Sequence, residues 1–224
     1  MKSGLAAFMA IVLAASSAIA ADQYKLGPAE KLPEGVAAPF ASLLDPKGYE
    51  ITGPSGAVSQ IWLVKELAVR ASFKPTLSVK YPLIPGSLVG VMSVAPKSPV
   101  TDFRGTSVKP GLYTLRYGQQ PEDGNHLGTS EVADFLLAVP AAFDKDPKPI
   151  TLPDKLHKES AKASGTTHPA IFSLLPPEDA VKEATLAHEE EKQFWILTVT
   201  AQGHDKSKKV AVPLRLVTIG KAEG

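Results

Sequence analysis

Stretches in which apolar and polar residues alternate strictly, separated at short intervals by proline and glycine, run through most of this chain. A period of two puts successive side chains on opposite faces of a strand, so the pattern specifies half-buried β-strands. The clearest case is Leu112-Tyr113-Thr114-Leu115-Arg116-Tyr117. Tyr113, Leu115 and Tyr117 share one face, and Thr114 and Arg116 the other. Lys109-Pro110-Gly111 before it is turn chemistry. Phe194 to Ala201 repeats the pattern, with Trp195, Leu197 and Val199 on one face. After Gln202-Gly203-His204-Asp205, read as the turn, come Val210, Val212, Leu214 and Leu216 on a common face, predicting a C-terminal antiparallel hairpin. Pro213 cannot donate to a ladder, so its strand should lie at a sheet edge or turn that position away from the pairing.

Tyr49-Glu50-Ile51, Ile61 to Val64, Leu88 to Val94, Asp134 to Val139 and Ala170 to Leu175 add further strands, several apolar on both faces as in layers buried from both sides. Roughly eight strands fit a mostly β chain folded as an antiparallel β-sandwich. Tyr113, Leu115, Trp195, Leu197, Val212 and Leu214 should form its core, with Trp62 and Tyr117. One short surface helix is predicted over 153–163, with Pro153 in its first turn, Leu156 and Ala163 as a thin apolar stripe, and Gly165 as C-terminal cap. Residues 178–191 carry no decisive period. Residues 21–47 hold Pro28, Pro33, Pro39 and Pro46 and read as an irregular N-terminal arm, leaving 48–224 as a single β-sandwich domain.

Residues 1–20 divide into a basic start at Lys2, an apolar run from Leu5 to Ala15 and small residues ending Ala18-Ile19-Ala20, the layout of a secretory signal peptide. The run breaks at Ser16-Ser17, well short of the roughly 20 apolar residues that span a bilayer. The expected mature chain is therefore periplasmic or extracellular, with no membrane span after cleavage. The sequence contains no cysteine, which removes thiol catalysis, thiolate zinc sites and iron–sulfur ligation. Roughly 200 mature residues bury enough surface to fold without disulfides.

There are 24 Lys+Arg and 23 Asp+Glu, and loss of Lys2 with the signal leaves 23 of each. A neutral domain has no global field to draw it to nucleic acid, so the expected partner is a protein or small-molecule ligand. The stretch Val108-Lys109-Pro110-Gly111-Leu112-Tyr113-Thr114-Leu115 resembles the Pro-Gly-x-Tyr-x-Leu strand entry of uncharacterised secreted bacterial β-sandwich domains, similar to that of transthyretin-like and carboxypeptidase-regulatory modules. The resemblance implies a fold and no catalytic residues.

Gly-x-Ser-x-Gly, Gly-x-Gly-x-x-Gly and Walker motifs are absent, and no cofactor is expected. Gly53-Pro54-Ser55-Gly56 comes nearest to a nucleophile motif and reads as a turn. The reading that follows is an exported, non-enzymatic binding or structural module. Two alternatives accompany it: a secreted hydrolase with a triad assembled in space, and a metal-binding protein using loop histidines. For the latter the candidates are His126, after the turn sequence Pro121-Glu122-Asp123-Gly124, and His168, whose backbone is restricted by Pro169. His204 in the predicted turn and His188 beside Glu189-Glu190-Glu191 are expected to be solvated.

Overall fold

A computed structural model describes residues 23–120, 132–205 and 208–220. The chain is a largely antiparallel sandwich of two unequal sheets. The larger has seven strands in the order β1 (Lys25–Ala29), β2 (Leu44–Gly53), β3 (Gly56–Val64), β5 (Leu88–Val94), β6 (Gly111–Gln119), β7 (Asp134–Pro140) and β8 (Ile171–Ser173). The smaller places β11 (Lys208–Ile219) and β4 (Leu67–Ala68) on opposite sides of β10 (Phe194–Asp205), with β9 (Thr185–Glu189) also on β10. Two helices occur among the described residues: the turn α1 (Ala38–Ala41) and the predicted surface helix, α2 (Pro153–Ser164). No helix of the described residues is long and apolar enough to cross a membrane.

The core lies where the alternation puts it. Tyr113, Leu115, Trp195, Leu197, Val212 and Leu214 are all buried between the sheets, with Trp62 and Tyr117. Helix α2 opens on Pro153 and stops where Gly165 takes a left-handed φ of 70° and donates to the Ala161 carbonyl. It lays Leu156 over Leu137 and Val139 on the outer face of the large sheet.

The side of the sandwich next to β8 and β11 is stitched by one tyrosine. Leu174 bridges to Leu216, and the Leu175 amide donates to the Arg215 carbonyl (2.9 Å). The Tyr81 hydroxyl donates to the Leu175 carbonyl (2.7 Å) and accepts from the Arg215 amide (3.2 Å). Arg215 thus turns its backbone groups away from β10, and in a strand the residue two positions earlier does the same. Pro213 therefore sits in an edge strand with its missing N–H outward.

Two expectations need correction. Residues 25–29 of the supposed irregular arm form β1, paired from Lys25–Thr52 to Ala29–Gly48, and Ala29, Phe40 and Leu44 enter the core. Proline is compatible with an edge strand, so Pro28 does not prevent the pairing. Gln202-Gly203-His204-Asp205 is not a turn but the end of β10, leaving only residues 206–207 between the two strands. Gly203 marks a close approach instead, because a Cβ there would meet the Val69 side chain at 2.8 Å where β4 pairs alongside. Within 178–191, residues 185–189 form β9.

Candidate functional site

The side chains of β6 facing the core build the fold, whereas those facing outward build a site. Thr114 and Arg116 point to the face that also carries Leu137 and Val139, beneath α2 and the irregular segment 141–152. Arg116 is nonetheless wholly buried. Its guanidinium donates through Nε to Asp144 Oδ2 (2.6 Å) and through Nη2 to Asp144 Oδ1 (2.9 Å) and the Asp146 carbonyl (2.6 Å). Nη1 donates to the carbonyls of Gly86 (3.0 Å) and Lys148 (2.8 Å). All five N–H groups of the side chain are therefore engaged. Thr114 Oγ1 donates to Asp144 Oδ2 at 2.5 Å.

A buried ion pair is a weak source of net stability, because desolvation offsets most of the Coulombic attraction. What this pair fixes is geometry. Segment 141–152 has no strand of its own, and one planar cation gathers two of its carbonyls and one carboxylate onto the sheet. Gly86 completes the seam: its φ is 81°, its amide donates to the Tyr117 carbonyl (2.7 Å), and its carbonyl accepts from the Ile150 amide (3.1 Å). A Cβ on Gly86 would fall 2.0 Å from the Ile150 carbonyl oxygen.

The segment held in this way stands as a ridge, Pro147-Lys148-Pro149, between two clefts that share Pro149. The first, about 350 Å³, has walls of Leu43, Val64, Ala68, Leu88 and Pro147. The buried Ser87 hydroxyl in its lining has no hydrogen-bond partner among the described residues. The second, about 290 Å³, lies between the ridge and the start of α2 and includes Phe143, Ile150, Leu152 and Lys155. Leu43, Phe143 and Leu152 are 41, 53 and 66 % exposed, three of the six large apolar side chains left in solvent among the described residues. Lys162 places its ammonium 3.7 Å from the centroid of the Phe143 ring and pairs with Glu159.

The inward face of β6 carries a contrasting polar group. The Tyr117 hydroxyl donates to Asp134 Oδ1 and accepts from Gln119 Nε2 (2.8 Å), while Asp134 Oδ2 accepts the Lys80 amide (2.6 Å). Burial pushes the Asp134 carboxyl above the usual carboxylate range, a rise that hydrogen bonds from Tyr117, Lys80 and Tyr81 oppose. Burial likewise raises the Tyr117 and Tyr81 hydroxyls well above the ordinary phenol range. Tyr81, Tyr117 and Asp134 are fully buried, and their hydrogen bonds tie β6, β7 and the 80–81 segment together.

Of the two sequence-predicted metal ligands, His168 does not line these clefts. His126 lies outside the described residues. His168 is exposed in the loop after α2, where its backbone carbonyl accepts from Ser164 Oγ (2.7 Å) and its amide donates to Thr166 Oγ1 (3.0 Å). Among the described residues no group of three His, Asp or Glu side chains could hold a metal ion. The other histidines differ from expectation. His204 lies in β10 with Nδ1 3.2 Å from Glu66 Oε2, and His188 in β9 stacks on Trp195 at 4.8 Å between centroids. The Ser160 hydroxyl bonds the Ala170 backbone, and the Ser87 hydroxyl has no partner among the described residues.

Sequence reasoning missed the clefts because the ridge between them is held by an arginine on β6 and an aspartate 28 residues later in a segment without period. The available signals were the strand position of Arg116 and the Pro-Lys-Pro run. Compared with known proteins, the chain matches no family model, no curated protein and no solved structure.

Proposed function

We propose that this protein is an exported, non-enzymatic binding module that seats a small, partly apolar molecule against the Pro147–Pro149 ridge. The observation that carries this reading is the saturation of Arg116, whose five hydrogen bonds hold an otherwise irregular segment in one shape between two clefts. A pre-formed rim reduces the ordering that binding would otherwise require. Exposed Leu43, Phe143 and Leu152 then supply apolar contact.

The test is amide chemical-shift mapping of the mature chain with phenol, benzyl alcohol and cyclohexanol. Shifts should concentrate at Leu43, Val64 and Leu88 or at Phe143, Ile150 and Leu152. Shifts scattered over the whole surface, or none with any probe, would overturn the reading. Export is checked separately by intact mass: the secreted chain should begin near Ala21, and a secreted chain retaining Lys2 would contradict it.

A further inference from the structure

Within that binding-module reading, we infer that the second cleft selects an anion carrying an apolar body, such as a medium-chain carboxylate. The argument is one of charge left over. The cleft lining contains Lys145, Lys148 and Lys155 against Asp144, Asp146 and Glu159, which alone would suggest neutrality. Two of those carboxylates are already committed. Asp144 is neutralised by Arg116 from beneath, and Glu159 is paired with Lys162. That leaves three lysines facing the single carboxylate of Asp146, which among the described residues accepts the Lys148 backbone amide (3.0 Å). Lys148 and Lys155 have no ion-pair partner among the described residues.

These charges surround apolar walls. Phe143, Ile150 and Leu152 form the floor and rim, and the Phe143 ring is stiffened from one side by the Lys162 ammonium. A concave site with low-dielectric walls and one excess sign of charge concentrates counter-ions of the opposite sign. An apolar tail on Phe143 and Leu152 with its anionic head between Lys148 and Lys155 meets both features at once. A cation would meet repulsion from the lysines, and a neutral alcohol would use only the walls.

Three probes that share an eight-carbon tail separate these cases: octanoate, octan-1-ol and octyltrimethylammonium, each titrated below micelle formation at low salt. Octanoate should bind with amide shifts at Phe143, Ile150 and Thr151, and added salt should weaken it. The double variant Lys148→Gln/Lys155→Gln should reduce its affinity about fivefold or more. Both lysines are exposed, so the variant should fold. Octanol or the ammonium binding in this cleft as tightly as octanoate would overturn the charge inference while leaving a binding cleft. An unchanged octanoate affinity in the double variant would do the same. Absence of any probe from both clefts would remove the charge inference together with the binding-module reading.

Discussion

Arg116 and Tyr117 are neighbours on one strand, both wholly buried and both bonded to an aspartate, yet they face opposite layers. Arg116 meets Asp144 charge to charge and recruits carbonyls from an irregular surface segment. Tyr117 gives Asp134 a neutral hydroxyl inside the sandwich, so that carboxylate is held by a phenol and backbone amides, with the Arg70 charge a smaller influence. The contrast separates two uses of burial. Beneath the ridge, a fixed cation shapes a loop that the chain could not order by strand pairing. Between the sheets, a polar group closes the hydrogen-bond needs of a seam between strands.

Breaking the outer pair should have the larger effect. Arg116→Met leaves Asp144 buried without a counter-ion and should cost about 3–5 kcal/mol in urea unfolding. A loss no greater than that of a surface substitution would show that Asp144 finds solvent when the arginine is gone. Gly86→Ala comes next. The positive φ alone costs about 1–3 kcal/mol, and the contact with the Ile150 carbonyl adds to it. Wild-type stability in that variant would mean that the seam is not closed as described.

The inner aspartate gives a smaller effect with a distinctive pH dependence. Because burial raises the Asp134 pKa in the folded state, the folded chain holds this proton more tightly than the unfolded chain. Its contribution is fully present below the ordinary carboxylate range and is lost as pH rises through the raised value. Urea midpoints measured across that window should therefore fall with pH more steeply in the wild type than in Asp134→Asn. Parallel curves would show that the site is better solvated than its burial indicates. Smallest of all, Phe143→Ser should change stability by no more than about 0.5 kcal/mol, since the ring is largely exposed, while abolishing probe shifts in the second cleft. A large stability loss there would give Phe143 a structural role in place of the proposed binding one.

Much of the fold was legible because periodicity reports burial directly: Tyr113, Leu115 and Tyr117 announce an inner face without knowledge of any partner. Where other signals compete, the pattern fails. Four prolines obscured the five-residue β1, and a run of glutamates obscured β9, whose exposed positions need no apolar residues. Gly203 looked like turn punctuation because close backbone approach and turning call for the same residue. The site was harder still. Arg116 could be assigned to the outward face, but nothing local says that this face is roofed. The roof comes from residues whose order depends on Arg116 itself.

Amide hydrogen exchange in Arg116→Met and Tyr117→Phe, residue by residue, tests the division of labour on β6 most directly. In the arginine variant, protection should fall at Gly86 and Ile150, whose amides close the ridge seam, and persist at Lys80. In the tyrosine variant it should fall at Lys80, beside Asp134, and persist at Ile150. Loss of protection spread equally over both regions in both variants would contradict it, showing the two faces of β6 to be one cooperative unit with no separately held binding rim.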